Sequence, residues 1–255
     1  MTPEQEAIKA CFIRERGYWR PWTEVILAQH PQFLQAYANY AGYPARTGSL
    51  SARMVELVYV ALDASSTHLY GPGLKTHLAK AFEAGASPAD ILGVLHCVAV
   101  QGLSSVYQGL NILAEEAGLD SVPADAAWPD GLAAHLATLP VALCEQLRVV
   151  GRFDPGYVRV VLEFIALDTP GAGLSPYERH LIHIALHACF TGFNPDALRT
   201  EIRTTLQEGG AVADIVQVIQ LGAHLSVHGT ALGAAALSDH SGLPMGTGTA
   251  GVPPG

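Results

Sequence analysis

The sequence predicts an all-α protein built from two tandem helical repeats that are related by an offset of 124 residues. Apolar residues recur at the i, i+3, i+4 spacing of helices, and no convincing segment alternates as a strand would. Between Leu50 and Leu113, 17 of 64 positions are identical to the residue 124 places later, without a gap. A match of this length at a fixed period indicates that one structural unit occurs twice.

Each predicted repeat begins with an apolar helix. In the first copy, Met54, Leu57 and Val58 lie on one helical face. Leu181 and Ile182 occupy the corresponding face in the second copy.

A second helix follows in both copies. In the first copy it opens after Tyr70-Gly71-Pro72, and in the second Asn194-Pro195-Asp196 opens its counterpart. Gly85 and Gly209 end these helices at corresponding C-cap positions. The segment Ser87-Pro88-Ala89-Asp90 then opens a third helix, because it combines a serine N-cap, proline in the first turn and an acidic N3 residue.

The remaining segments divide the chain into five regions. We expect an N-terminal packing arm (residues 1–29), a first repeat (30–117), a connector (118–153), a second repeat (154–240) and a disordered tail (241–255). The connector is interrupted by prolines, and a short helix is expected near Val141–Val150.

Composition restricts the partners of the chain. A net charge of −9 disfavours nucleic acid as a partner. Hydrophobic residues make up 49% of the chain and charged residues 15%, so part of the surface is expected to be covered in a homo-oligomer. We expect a cytoplasmic protein without a membrane span, since no long uninterrupted apolar run and no secretory signal is present. The four cysteines form no C-x-x-C motif, which argues against a dithiol redox pair.

The first repeat resembles a known family. The resemblance rests on Glu56-Leu57-Val58 before an alanine-rich helix, on the segment from Asp63 to His77, on Ala84 to Ile91, and on the glycines Gly102 and Gly109. These features are similar to the carboxymuconolactone decarboxylase family, within the alkylhydroperoxidase-D-like superfamily. The second copy matches more loosely. The resemblance implies a helical fold, a small-molecule carboxylate substrate and a homo-oligomer, with a trimer favoured for a fused pair.

The resemblance also implies positions for a site. Peroxidase members carry C-x-x-C-x-x-x-H, with the histidine eight residues before the glycine that ends the helix. This sequence keeps that histidine as His77, whereas Tyr70 and Gly73 replace the cysteines. Without a thiolate the redox mechanism cannot run there. Glu56 matches the acidic residue of those relatives, and the pair His228 and Gly233 resembles a pattern of the lactone decarboxylase branch.

These comparisons lead to a set of expected site residues. The expected catalytic residues are His77, His228, Glu56 and Tyr70. The expected substrate-binding residues are His68, Lys75, His187, His224 and Arg199. No cofactor is expected, and no metal is assigned. The second copy also concentrates histidines at His180, His183, His187, His224 and His228, and three interpretations stay open for them: acid–base work, a metal site, or satisfied polar residues at an interface.

Three functions are compatible with this sequence. The first is a cofactor-free acid–base lyase or isomerase that acts on a small unsaturated or lactone carboxylic acid. The second is a peroxidase-like antioxidant protein, which would require a reactive Cys189. The third is a non-catalytic or metal-binding oligomer.

Overall fold

The computed structural model describes residues 1–119, 128, 141–167 and 173–242. Across these residues the regular secondary structure is entirely helical, which confirms the all-α prediction. Most of the tail predicted to be disordered, residues 243–255, lies outside the described residues. The helices are, in chain order, α1 (Pro3–Arg16), α2 (Pro21–Gln29), α3 (Pro31–Thr47), α4 (Ala52–Ala64), α5 (Gly71–Glu83), α6 (Pro88–Val100), α7 (Leu103–Glu116), α8 (Val141–Phe153), α9 (Pro155–Ile165), α10 (Pro176–Ala188), α11 (Pro195–Gln207), α12 (Val212–Ala223) and α13 (Val227–Ser241).

The predicted caps define the helix ends. The Ser87 hydroxyl accepts a hydrogen bond from the Asp90 amide, and the Asn194 side chain accepts one from the Ala197 amide. Gly85 and Gly209 follow α5 and α11 with φ angles of +91° and +88°, a conformation that favours glycine. Local sequence therefore decides where these helices begin and end.

Corresponding helices are spaced by the same 124 residues. Helices α4 and α10 begin and end 124 residues apart, and so do α5 and α11. The first residues of α3 and α9 are 124 residues apart, and so are the last residues of α2 and α8. The helical correspondence thus extends beyond the segment in which sequence identity is visible.

The two halves share one hydrophobic core. Helix α4 packs against α10, and Leu57, Val58 and Leu62 of α4 lie in the same fully buried cluster as Leu181 and Ile182 of α10. Burial of each such side chain contributes about 1.5–3 kcal/mol. This shared core holds the corresponding helices α4 and α10 of the two halves against each other.

Two further clusters flank the core. Helices α1, α2 and α3 surround Phe12 and Trp22 and pack with Val227 of α13. On the other side, Tyr107 of α7 packs with α8 and α9 around Leu147. The first cluster thus packs α1–α3 against α13, and the second packs α8 and α9 against α7.

Large apolar side chains are exposed in pairs on the single chain. Five pairs are related by the 124-residue spacing: Leu69 and Phe193, Phe82 and Leu206, Leu92 and Val216, Leu95 and Ile219, and Leu113 and Leu237. In the described part of the chain, the continuous stretch Pro88–Glu116 is long and apolar enough to cross a membrane by length and composition, which is weak evidence because helices of soluble proteins meet the same criterion. That stretch contains Leu92, Leu95 and Leu113, one member each of three of the five pairs.

Candidate active site

Two polar sites occupy corresponding places in the two halves. We name the first the closed site and define it by Glu56, Tyr59, Asp63, His68, Tyr70, His77, His224 and His228. We name the second the open pocket; it is lined among others by Val100, Ser104, Arg179, His180, His183, His187, Asn194 and Glu201. The closed site joins α4 and α5 to the segment His224–His228, and the open pocket joins α10 and α11 to α6 and α7.

A histidine–carboxylate pair lies at the base of the closed site. The Nδ1 atom of His77 on α5 lies 2.6 Å from the Oε2 atom of Glu56 on α4. The ring of Tyr59 packs 4.5 Å from the His77 ring. Burial lowers the pKa of His77, although Glu56 opposes this shift. The structure therefore brings together two of the residues that the resemblance implied.

A second group lies at the other end of the closed site. The Nε2 atom of His68 is 2.7 Å from Nδ1 of His228, and the Tyr70 ring stacks on the His228 ring with 3.6 Å between centroids. Asp63 is fully buried, and neither of its carboxylate oxygens has a hydrogen-bond partner. Burial raises the pKa of Asp63 to about 7, and it lowers that of His228 to about 3.

The N-terminal arm fills the space above these groups. Arg16 contacts Nε2 of His224 at 2.8 Å, and Arg20 donates hydrogen bonds to the Pro72 carbonyl and the Thr76 hydroxyl. The remaining cavity measures about 10 Å³. A cavity of this volume holds about one water molecule, so it has no room for an organic acid in this conformation.

The open pocket is much larger. Its volume is about 520 Å³, within the range of small-molecule sites. Its polar wall is formed by α10 and α11, where Nδ1 of His180 lies 2.8 Å from Oε2 of Glu201. His183 and His187 continue along α10, with their rings stacked 6.3 Å apart.

The histidines of the open pocket have pKa values shifted in opposite directions. The hydrogen bond to Glu201 raises the pKa of His180. Burial lowers the pKa of His183, and it lowers that of His187 to about 4. The wall therefore places one histidine whose pKa favours the protonated form beside two whose pKa values favour the neutral form. Such a division assigns acid and base roles within one site.

Both sites contain a histidine–glutamate pair, but the helix that carries the histidine in one site carries the glutamate in the other. Glu56 corresponds to His180 at the 124-residue spacing, and His77 corresponds to Glu201. Both sites therefore hold a histidine–glutamate contact, with the residue types exchanged between the two helices.

Smaller side chains explain why only one of these sites is open. Four bulky residues at the closed site are replaced by smaller ones at the open pocket: Trp22 by Gln146, Tyr70 by Asn194, His224 by Val100, and His228 by Ser104. The difference in cavity volume follows from these replacements.

The expected site residues divide into three groups. Glu56, His68, Tyr70, His77, His224 and His228 meet at the closed site, and His187 lines the open pocket. Lys75 and Arg199 are exposed and line neither site, because both face outward from their helices. His224 contacts Arg16 instead of facing open space.

Sequence reasoning did not select Asp63, Arg16 or Glu201. A carboxylate among the apolar residues of α4 was the available signal for Asp63. For Glu201, the signal was its pairing with His77 at the 124-residue spacing. Nothing in the sequence indicated that Arg16 would reach α13, since that contact joins distant parts of the chain.

The cysteines do not form a redox centre among the described residues. Cys189 is buried, contacts the Thr191 hydroxyl and lines neither site. Cys97 lines the open pocket, but burial raises its pKa to about 11, which disfavours the thiolate. At Gly73, where peroxidase relatives carry a cysteine, a Cβ atom would lie 2.2 Å from Oδ2 of Asp63.

Comparison with known proteins supports the resemblance. Residues 31–116 match the model of the carboxymuconolactone decarboxylase family. A crystal structure of a proposed gamma-carboxymuconolactone decarboxylase subunit from Burkholderia xenovorans superposes with a TM-score of 0.82. The two chains are 24% identical, and the match covers 95% of this chain and 99% of that one, which shows a shared fold. No curated protein matches the chain. The family resemblance is thus confirmed through the first half.

Proposed function

We propose that this chain, whose residues 31–116 form a carboxymuconolactone decarboxylase family region, is an acid–base enzyme that uses the open pocket. The substrate class is a small unsaturated or lactone carboxylic acid, and the reaction is a decarboxylation or an isomerisation. The observation that carries this proposal is that a cavity of about 520 Å³ is lined by histidines whose pKa values are shifted in opposite directions.

The pocket has the groups that such a substrate needs. Arg179 lies on its wall and supplies positive charge for a carboxylate. Asn194 and Gln101 provide neutral polar groups for a lactone carbonyl.

Proton transfer can then follow the pKa difference. In a decarboxylation, the C–C bond to the carboxylate breaks and its electron pair moves into the adjacent unsaturated system. His180 donates a proton to the resulting carbanion, carbon dioxide leaves, and solvent returns a proton to His180. In an isomerisation, the neutral His183 or His187 removes a proton from carbon, and His180 delivers one to another carbon. Solvent then takes the proton from His183 or His187 and returns one to His180.

The experiment measures turnover of 4-carboxymuconolactone and related lactone acids by carbon dioxide release and ultraviolet absorbance. We expect His180→Gln to lower kcat/KM by about 10²–10⁴-fold, the usual contribution of a general acid. Glu201→Gln should lower it as well. The matched control is Arg203→Ala, an exposed position on the same helix as Glu201 that lines neither site. Absence of turnover with every substrate in the wild-type protein would reject the proposed reaction.

A second candidate places the chemistry in the closed site. The contact between His77 and Glu56 favours it, and the expected catalytic residues His228 and Tyr70 lie nearby. Substrate entry would require the arm to move away. His77→Gln separates the candidates: activity close to wild type supports the open pocket, whereas loss in His77→Gln with activity retained in His180→Gln supports the closed site.

The peroxidase alternative finds little support. It requires a reactive Cys189, whose thiol is buried and lies outside both sites. Peroxide consumption that is abolished in Cys189→Ser would restore this alternative.

We also propose that the chain assembles with copies of itself, as a trimer, in the cytoplasm. The paired exposed apolar residues support self-assembly, because two equivalent faces on one chain can meet those of its neighbours in a closed ring. Three such chains would place six similar units around one axis.

A further inference from the structure

Three potential metal ligands converge at one end of the closed site. One ligand atom each from Asp63, His68 and His228 lie within 4.8 Å of one another. They come from α4, from the loop before α5, and from α13, which belong to different halves of the chain. Asp63 is fully buried, and both of its oxygens lack a hydrogen-bond partner. Such an arrangement is costly without a compensating partner.

We propose that Asp63, His68 and His228 bind a divalent transition-metal ion. Two imidazoles and one carboxylate suit zinc or ferrous iron better than magnesium or calcium, which prefer oxygen ligands. This proposal departs from the sequence-based expectation that the chain uses no cofactor. It does not depend on the function proposed for the open pocket.

The distances fit an ion after small movements. Two nitrogens bound to a tetrahedral ion at 2.0–2.1 Å lie about 3.3 Å apart. The two imidazole nitrogens are 2.7 Å apart, and the Asp63 oxygen is 3.8 Å from Nε2 of His68. Separation of the two rings by about half an ångström, and a similar approach of the carboxylate to His68, would give both of these pairs the spacing of bound ligands. The third pair, Asp63 and His228, starts within 4.8 Å.

The surroundings keep these groups in place. The absence of a side chain at Gly73 leaves room for the Asp63 carboxylate, and the Tyr70 ring stacks on His228. Arg20 is the positive group that acts on Asp63, but its guanidinium donates to Pro72 and Thr76. It therefore leaves the carboxylate oxygens available to a cation.

The other half of the chain provides an internal comparison. At the 124-residue spacing, Asp63 corresponds to His187, His68 to Gly192, and His228 to Ser104. The open pocket thus lacks two of the three ligands at the corresponding positions. Metal binding through this set should occur once in each chain.

The test uses the full-length chain without a histidine tag, stripped with a chelator and titrated with Co²⁺. We expect one equivalent to bind and to give visible d–d absorption bands. Asp63→Asn and His228→Gln should each weaken binding at least ~100-fold, beyond the ~10–100-fold effect of losing a residue that only supports a ligand. His187→Gln is the matched control and should bind Co²⁺ as the wild type does.

Thermal unfolding provides a second measurement that also checks folding. Zn²⁺ should raise the Tm of the wild type and of His187→Gln, but not that of Asp63→Asn, because an ion stabilises only the state that binds it. Failure of the wild type to bind Co²⁺ or Zn²⁺ would overturn the proposal. Equal binding by wild type and Asp63→Asn, or loss of binding in His187→Gln, would overturn it as well.

Discussion

Substitution of Gly73 by alanine should destabilise the protein through short contacts with Asp63 and Tyr70. The new Cβ atom would lie 2.2 Å from Oδ2 of Asp63, 2.9 Å from its Cγ atom and 2.7 Å from a ring carbon of Tyr70. Real Cβ atoms essentially never approach another heavy atom closer than 3.0 Å, so the first contact falls short by about 0.8 Å. The Asp63 carboxylate is fully buried on α4, so it cannot avoid the new atom by turning into solvent.

The expected cost follows from overpacking of a buried site. Such substitutions cost about 1–3 kcal/mol, and a contact this short with a buried carboxylate belongs in the upper half of that range. For a chain of 255 residues, about 2–3 kcal/mol corresponds to a fall in Tm of about 4–12 °C. Differential scanning calorimetry with a fixed protein concentration measures this shift.

Two variants test the reasoning. Gly109→Ala on α7 is the matched control, because no heavy atom lies within 4 Å of its Cβ position and alanine favours a helix interior. Asp63→Ala combined with Gly73→Ala should cost less than the sum of the two single substitutions, since it removes the two clashing atoms of Asp63 and leaves only the contact with the Tyr70 ring. A Tm for Gly73→Ala equal to that of the wild type, or strict additivity in the double variant, would refute the explanation.

Two further predictions concern the His180–Glu201 pair and the exposed apolar faces. Glu201 raises the pKa of His180 above its ordinary 6.5, so the stabilisation by this pair is fully present below about pH 6.5 and is lost as pH rises through the raised value. The pKa of Glu201 is lowered from 4.5, so stabilisation is also lost as pH falls below that value. Glu201→Gln should therefore cost about 1–2 kcal/mol near pH 6 and little at pH 9, as urea unfolding can measure; an equal cost at both values would contradict the assignment. For assembly, Leu92→Glu combined with Val216→Glu should convert a trimer into monomers in light scattering, whereas Glu163→Gln, which changes the charge of an exposed carboxylate on α9, should leave the trimer intact. A wild-type chain that is monomeric would reject the proposed assembly.

Much of the fold could be predicted because its signals are local. Helix N-caps at Ser87 and Asn194 and the glycines after α5 and α11 act within a few residues of sequence. The identical residues at the 124-residue offset indicate which helices of the two halves correspond. The helix expected near Val141–Val150 lies within α8, which extends to Phe153.

The candidate site was predictable only in part. The contact of His77 with Glu56 follows from a family pattern, and each residue lies on a helix that the sequence identifies. Lys75 and Arg199 were expected at the site because they are paired basic residues. The rotation of each helix in the packed chain directs them outward. Charge and spacing do not determine that rotation, because burial of the opposite helix face decides it.

The sequence by itself determined the helices, their caps, the 124-residue correspondence and the absence of a dithiol at positions 70 and 73. Only the tertiary structure decided which site is open. The arm covers the first site with Arg16 and Trp22, and the corresponding place in the second half is lined by smaller residues. The physical reason is that helix formation depends on neighbours in sequence, whereas a cavity depends on the volumes of side chains that distant segments bring together. The convergence of Asp63, His68 and His228 also depends on tertiary structure, because it exists only when α13 packs against the first half of the chain.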